Sequence, residues 1–250
     1  TLSLLNGEYA FILIDKKENK MFAIRDPFGI RPMYYLKNSV NNSFYFASEL
    51  KQLQNFNSKD KIEQFIPGTF SVFNYNNELN VWNFVNNNLY YNTNIQEIKE
   101  NNSENYYKNI ALMLEESVKK RTMTTHRPVA CLLSGGLDSS LIAALVKKQY
   151  VGTLETYSIG LEGSEDLKYA QKVADHIGSK HTNIIVSEDD FFNAIPNVID
   201  DIESYDTTTV RASVGNWLIG KYIKENSEAK VIFNGDGADE LMGGYLYFNK

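Results

Sequence analysis

The sequence predicts a mixed α/β protein, in which an antiparallel, strand-rich N-terminal part precedes an open parallel sheet with helical crossovers. Up to residue 73, short apolar and aromatic runs alternate with turn-forming residues. From residue 107 onward, strand-like runs alternate with segments of helical periodicity. With 250 residues, 43% of them hydrophobic, the chain can bury the core of one or two domains.

The N-terminal part is predicted to contain five strands, at residues 9–14, 21–24, 33–36, 44–47 and 70–73. The breaks between them are rich in turn formers, which favours antiparallel connections. From residue 86 to 105 the composition shifts to Asn, Tyr and Glu with weak periodicity, which indicates a solvated connection. We therefore expect one domain over residues 1–90, a linker over 91–105 and a second domain over 106–250.

The second part begins with a predicted helix, in which apolar residues between Tyr107 and Val118 recur at helical spacing. Strands are predicted at 129–133, 154–159, 182–186 and 230–233. Helices are predicted at 140–148, 166–177 and 213–224, and another is capped by Ser187 with Asp190 three residues on. This alternation implies parallel strands, and the ligand site of such a sheet lies outside the carboxyl ends of the strands.

Composition disfavours several classes of function. The net charge of -6 gives no electrostatic reason to bind DNA or RNA, so we expect no nucleic-acid partner. The longest apolar runs fall far short of the roughly 20 residues that span a membrane, so no membrane association is expected. A single cysteine, Cys131, rules out a disulfide framework within the chain and fits a cytoplasmic protein. The sequence starts at Thr1 and stops soon after a Gly-rich motif, so we expect both ends to be cut.

The strongest motif is Ser-Gly-Gly-Leu-Asp-Ser-Ser at residues 134–140, between a predicted strand and a predicted helix. Gly135 and Gly136 allow the backbone to approach a phosphate, and the helix N-terminus and nearby serine hydroxyls supply donors. Asp138 would repel a phosphate unless a divalent cation lay between them, which predicts Mg²⁺. The motif lacks the Lys of a Walker loop. The alternative is a Gly-rich turn whose serines merely cap the helix.

This motif resembles the pyrophosphate loop (PP-loop) of ATP pyrophosphatases, and the resemblance extends along most of the chain. Residues 25–32 (Arg-Asp-Pro-Phe-Gly-Ile-Arg-Pro) and 46–49 (Phe-Ala-Ser-Glu) resemble the amidotransferase half of glutamine-dependent asparagine synthetases. Four further segments resemble, in order, the synthetase half of these enzymes: residues 130–140, 157–160, 205–213 and 234–241. The implied fold is part of an N-terminal nucleophile amidotransferase domain followed by an open parallel-sheet ATP-pyrophosphatase domain.

The resemblance also implies roles for individual residues. Thr208 and Arg211 would contact the aspartyl-adenylate or the departing pyrophosphate, and Asp138 and Asp239 would bind Mg²⁺. The adenosine moiety of ATP would be held by Leu132, Ile159, Asn234 and Gly235. The β and γ phosphates would be held by Ser134, Gly135, Gly136, Asp138, Ser139 and Ser140. Alternatively, the two aspartates could cap turns or helices, and Arg211 could be an ordinary surface residue.

Residues 234–237 depart from the family pattern, because Asn-Gly-Asp-Gly stands where the family usually has Ser-Gly-Glu-Gly. The Glu is thought to take a proton from attacking ammonia, and Asp236 is one methylene shorter. General-base catalysis depends on placement within about 3 Å. If Asp236 takes this role, we expect either lower activity or a slightly shifted backbone.

The implied reaction makes asparagine from aspartate, ATP and glutamine or ammonia, with AMP and pyrophosphate as products. The family's glutaminase nucleophile is an N-terminal cysteine, which Thr1 does not match, and Cys131 lies in an apolar strand. We therefore expect no glutamine hydrolysis by this chain. Two rival hypotheses are a related adenylating enzyme, such as a β-lactam-synthetase-like cyclase, and a non-catalytic nucleotide-binding homologue. Homo-oligomerisation is left open.

Overall fold

The structure is a computed structural model that describes residues 2–40, 42–56, 59–92 and 103–248. The chain divides into two compact units, Thr1–Ile98 and Lys99–Lys250. The domain limits and the linker expected from the sequence remain a prediction, and residues 93–102 of that linker lie outside the described residues.

The first unit contains two antiparallel sheets. One has the strand order β1-β2-β6-β7 and the other β4-β3-β5. The strands are β1 (Ala10–Asp15), β2 (Lys20–Arg25), β3 (Tyr34–Lys37), β4 (Phe44–Ala47), β5 (Ile62–Gln64), β6 (Thr69–Asn76) and β7 (Val81–Leu89). Met21, Met33, Phe65 and Phe73 are buried in the core of this unit. The antiparallel architecture predicted from the sequence is confirmed.

Two strands of the first unit were not predicted. β5 has only three residues, too few to show a period. β7 includes residues 86–89, whose Asn-rich composition suggested a connection, yet Asn88 and Leu89 pair with Phe70 and Thr69 of β6. β7 is an edge strand, and its stretch from Phe84 to Asn87 is exposed, so asparagine is tolerated there.

The second unit is a four-stranded parallel sheet in the order β10-β9-β8-β11. Its strands are β8 (Val129–Leu132), β9 (Glu155–Gly160), β10 (Lys180–Ile185) and β11 (Val231–Phe233). Its helices are α1 (Ser103–Thr124), α2 (Leu137–Gln149), α3 (Glu165–Ile177), α4 (Glu188–Ile202), α5 (Thr207–Asn226) and α6 (Ala238–Met242). The predicted open parallel sheet is confirmed, as is the capping box of Ser187 and Asp190 at the start of α4.

Helices cover both faces of this sheet. On one face, Cys131, Leu133 and Val146 form a core with Ala170 and Ala174 of α3. On the other, Ala130 and Tyr157 pack against Ile219 and Ile223 of α5. α5 begins six residues earlier than predicted, at Thr207, and α6 was not predicted. Among the described residues, no helix is long and apolar enough to cross a membrane.

Candidate functional site

The loop between β8 and α2 is shaped by two glycines. Gly135 has a φ of +84°, and a Cβ atom added to it would lie 2.6 Å from the backbone nitrogen of Ala170 in α3. Gly136 caps α2 in an extended conformation, and a Cβ atom added to it would lie 3.4 Å from Ser134 Oγ. Gly135 is therefore required by close packing on α3, whereas Gly136 keeps the start of α2 open.

Hydroxyl groups surround the start of α2. The Oγ atoms of Ser134 and Ser139 lie 2.9 Å apart, and Ser134 Oγ accepts a hydrogen bond from the Gly136 amide at 3.3 Å. The Oγ of Ser140 is buried and has no partner in the described part of the chain. The first amides of a helix have no partner within the helix. These donors make this end of α2 suited to an anion.

The loop after β11 packs directly on the start of α2. A Cβ atom added to Gly235 would lie 2.7 Å from the backbone nitrogen of Ser139 and 2.8 Å from the carbonyl carbon of Asp138. Gly237, with a φ of +92°, precedes α6, whose first turn carries Asp239. Because β8 and β11 are parallel neighbours, both loops leave the same edge of the sheet.

A cleft of about 430 Å³ lies beside these two loops and α5. Most of the predicted site residues line it, namely Leu132, Ser134, Gly136, Asp138, Ser139, Asn234, Gly235, Asp236 and Asp239. The lining also includes residues that sequence reasoning missed, namely Leu137, Ala212, Asn216, Gly237, Ala238, Glu240 and Tyr245. The cleft therefore unites the two motifs that the sequence placed about 100 residues apart.

Five predicted residues are not part of the cleft lining. Gly135 packs on α3, the Ser140 hydroxyl is buried, and Ile159 packs against α5. Thr208 and Arg211 are exposed in the first turns of α5.

The spacing of residues in the sequence indicates which face of α5 borders the cleft. Thr208, Ala212 and Asn216 follow one another at intervals of four residues, so they lie along the same helix face. Ala212 and Asn216 line the cleft. This spacing would have identified Asn216 once Thr208 was suspected.

The position of α5 is fixed at its start and along its buried side. The Asp206 side chain caps the helix by accepting a hydrogen bond from the Thr209 amide at 2.8 Å, which lowers the pKa of Asp206. Val210 and Val214 are buried against α4, and Ile219 is buried against the sheet. The residues that α5 presents to the cleft are therefore held in place by the core.

Asp236 is held by two amides at the cleft. Asn234 Nδ2 donates to Asp236 Oδ2 at 2.7 Å, and Asn216 Nδ2 lies 3.5 Å from the same oxygen. Nearby, the Tyr245 hydroxyl donates to Glu240 Oε1 at 2.7 Å, and this bond raises the pKa of Tyr245 to about 12. Tyr245 is therefore an uncharged hydrogen-bond donor at neutral pH.

Asp138 and Asp239 line the same cleft from the first turns of two different helices, α2 and α6. Within the described residues, no group of three or more His, Cys, Asp or Glu side chains could by itself hold a metal ion. Mg²⁺ is commonly bound by one or two carboxylates together with substrate phosphates. The two aspartates thus fit a cation that arrives with a phosphate ligand.

The first unit contains a tightly bonded turn at residues 25–31. The Arg25 guanidinium donates to the carbonyl oxygens of Gly29, Arg31 and Phe65 at 2.6 to 2.9 Å. The Asp26 carboxylate accepts from three backbone amides, those of Phe28, Ile30 and Arg31, at 3.0 Å each. Arg25 and Asp26 are both buried. These hydrogen bonds hold the turn in one conformation.

Cys131 is fully buried in β8. Burial raises the pKa of its thiol to about 12. At neutral pH it is a protonated core side chain, as its apolar strand predicted, and it is unsuited to nucleophilic catalysis.

The fold and the cleft define an α/β domain with a glycine- and serine-rich loop at the carboxyl edge of a parallel sheet. The family model described as asparagine synthase matches residues 109–250, more than half of the chain, and that described as glutamine amidotransferase domain matches residues 1–55. The chain belongs to the asparagine synthase family.

Curated relatives match along the whole chain. It is 38% identical over 270 residues to asparagine synthetase [glutamine-hydrolyzing] of Homo sapiens and 39% identical over 278 residues to that of Gallus gallus. These matches cover 100% of this chain and 48% of each relative. The chain therefore spans about half the length of the curated relatives it matches.

Solved structures show more distant similarity. An NH3-dependent NAD synthetase from Campylobacter jejuni is 16% identical with a TM-score of 0.40, covering 56% of this chain and 60% of that one. An NMN synthetase from Francisella tularensis is 17% identical with a TM-score of 0.39, covering 56% of this chain and 59% of that one.

Proposed function

We propose that this chain is part of a glutamine-hydrolysing asparagine synthetase and holds the ATP site at which aspartate is activated. The observation that carries the proposal is the cleft, where an open helix N-terminus and serine hydroxyls meet two carboxylates. Whole-chain similarity to curated asparagine synthetases supports it. The products of the reaction are asparagine, AMP and pyrophosphate, with glutamate when glutamine supplies the nitrogen.

In this proposal ATP lies along the two loops. The β and γ phosphates bind the first amides of α2 and the hydroxyls of Ser134 and Ser139, while Gly136 leaves room for them. Gly135 allows the loop to pack closely on α3. The Ser140 hydroxyl is a further donor in the first turn of α2. The adenosine moiety lies next to Leu132, Ile159, Asn234 and Gly235.

Asp138 and Asp239 would hold Mg²⁺ between themselves and the phosphates. A bound Mg²⁺ offsets negative charge on the triphosphate. The protein's own part is to set two carboxylates in the first turns of α2 and α6, and the close packing of Gly235 on the start of α2 keeps these turns near each other. The two carboxylates then also select for a nucleotide that carries its cation.

The chemistry proceeds in two steps. An oxygen of the aspartate β-carboxylate attacks the α phosphorus, the bond to the β phosphate breaks, and pyrophosphate leaves. Thr208 and Arg211, exposed at the start of α5, would contact the adenylate or the departing pyrophosphate, a task that suits a guanidinium group. Ammonia then attacks the activated carbonyl carbon, AMP leaves with the bonding electrons, and Asp236 takes a proton from the nitrogen.

The nitrogen source involves the first unit, which belongs to the amidotransferase part of the proposed enzyme. Cys131 is unsuited to attack glutamine because it is buried and protonated. The chain itself is therefore expected to depend on supplied ammonia. A cytoplasmic setting is proposed because the single thiol is reduced and buried.

The test measures AMP and pyrophosphate formation by the complete protein that contains this chain, with Mg-ATP, aspartate and ammonium. The proposal predicts AMP only when aspartate is present, and loss of most activity in Asp138→Asn. The matched control is Asp189→Asn, an exposed aspartate in the first turn of α4. AMP formation with a different carboxylate would favour a related synthetase, such as a β-lactam-forming one. Nucleotide binding without AMP formation would favour a non-catalytic homologue.

A further inference from the structure

Oδ2 of Asp236 has two amide donors from different elements. Asn234, directly after β11, donates from Nδ2 at 2.7 Å, and Asn216, in the middle of α5, lies at 3.5 Å. A distance of 3.5 Å is at the outer limit of a hydrogen bond. Hydrogen bonds of catalytic groups are often long before substrate binds and tighten in the complex.

Asn216 approaches Asp236 because the fold fixes α5, not because the two residues are neighbours in the chain. The helix is capped by Asp206 and anchored through Val214 and Ile219, which lie two residues before and three after Asn216. Its amide therefore has a defined position at the cleft. Asn234 is set in the same way by the end of β11.

The two amides act on one oxygen only. Within the described residues, Asp236 makes no other hydrogen bond, so its Oδ1 remains available on the cleft. A carboxylate with one oxygen held by two donors loses rotation about its last side-chain bond. Its other oxygen then keeps one direction, which matters for an aspartate with a short reach.

We propose that Asn216 is a positioning residue for the ammonia step, which rests on the proposed function. Together with Asn234 it holds Oδ2 of Asp236, so that Oδ1 receives the proton. Nitrogen of ammonia forms a bond to the activated carbonyl carbon of aspartate, and the bond from that carbon to the AMP oxygen breaks. AMP leaves with the electron pair, and one proton moves from nitrogen to Oδ1 of Asp236.

This role concerns only the attack of ammonia, which is the second half-reaction. The test therefore measures adenylylation and the ammonia step separately. In the complete protein, aspartate-dependent exchange of labelled pyrophosphate into ATP reports adenylylation, and asparagine formation with ammonium reports the ammonia step. For Asn216→Ala we expect exchange within about twofold of the parent and a kcat for asparagine lower by roughly tenfold, with an unchanged KM for ATP.

Two further variants separate positioning from folding. Asn216→Asp has nearly the same shape but replaces the donor with a second carboxylate, so its loss of asparagine formation should be at least as large. Asn216→Gln retains an amide donor and should recover part of the rate. The matched control is Asn226→Ala, whose side chain donates to the Tyr222 carbonyl at the far end of α5, away from the cleft lining.

Three outcomes decide the matter. Loss confined to asparagine formation, with recovery in Asn216→Gln, supports the inference. Equal loss of exchange and asparagine formation, or an unchanged asparagine rate in Asn216→Asp, overturns it while leaving the proposed function intact. Absence of aspartate-dependent exchange in the parent protein overturns the proposed function and this inference with it.

Discussion

Gly235 and Ser139 are in backbone contact, since a Cβ atom on Gly235 would lie 2.7 Å from the Ser139 nitrogen. This contact joins the loop after β11 to the first turn of α2. It sets the spacing between Asp138 on one side of the cleft and Asp236 and Asp239 on the other. The geometry of the cleft thus depends on the absence of one side chain.

Gly235→Ala is expected to separate the two loops while leaving the rest of the unit folded. Because a displacement of about 1 Å in an active site can cost about 100-fold in rate, we predict roughly that loss in aspartate-dependent AMP formation. The control is Gly220→Ala on α5, where nothing lies within 4 Å of the added Cβ and alanine should stabilise the helix by about 0.5–1 kcal/mol. Equal activity of both variants would show that the contact is unimportant.

The turn at residues 25–31 should depend on the charge of Asp26. Burial acts to raise the pKa of Asp26, but backbone amide donors, led by that of Arg31, outweigh it and the pKa is lowered. The Asp26 carboxylate therefore makes its full contribution to the free energy of unfolding above about pH 4, which is the pKa of an aspartate in the unfolded chain. This contribution is lost as the pH falls through the lower pKa of Asp26 in the folded protein.

Asp26→Asn should accordingly leave the Arg31 amide facing a donor and weaken the bonds from the Phe28 and Ile30 amides at neutral pH, at a cost of about 3 kcal/mol in unfolding free energy. Hydrogen exchange at these three amides is the measurement. The difference between the variant and the parent should be large at pH 7 and should shrink below pH 4. A difference that stays constant with pH would contradict the assigned role of the charge.

His181 on β10 should make the second unit sensitive to mild acid. Burial lowers its pKa from the ordinary 6.5, even though Asn183, Thr156 and Asp175 act to raise it. The folded state thus prefers the neutral ring, which contacts Thr156 Oγ1 at 2.9 Å. The free energy of unfolding is therefore highest above pH 6.5. It declines as the pH falls from 6.5 toward the lower pKa of His181 in the folded protein.

The test is the urea midpoint between pH 8 and pH 5. It should fall with pH in the parent protein and fall less in His181→Gln. His176→Gln, which changes an exposed residue at the end of α3, should follow the parent. If His181→Gln shows the same pH dependence as the parent, another group is responsible.

The structural features that could be predicted from the sequence are local in the chain. Residues 134–140 connect a strand to an open helix N-terminus because a strand, two glycines and a helix follow one another directly, and local chemistry suffices to fix that arrangement. The capping box at Ser187 and the core position of Cys131 were predictable for the same reason.

Other features depend on tertiary placement. Asn216 reaches Asp236 only because α5 packs in one orientation against β8 and β9 of the sheet, and no motif encodes that contact. Strand β7 was not predicted because its asparagines suggested a connection, although an exposed edge strand tolerates them. The start of α5 at Thr207 could have been predicted from the sequence, because Asp206 is a typical N-cap residue three positions before Thr209.

We propose above all that this cleft activates the β-carboxylate of aspartate by adenylylation. The most direct measurement supplies the complete protein with Mg-ATP, ammonium and aspartate labelled with ¹⁸O in its β-carboxylate, and analyses the products by mass spectrometry. The account predicts one ¹⁸O atom in AMP and none in pyrophosphate, because the attacking oxygen leaves with AMP. Unlabelled AMP, or ¹⁸O in inorganic phosphate with ADP as co-product, would contradict it.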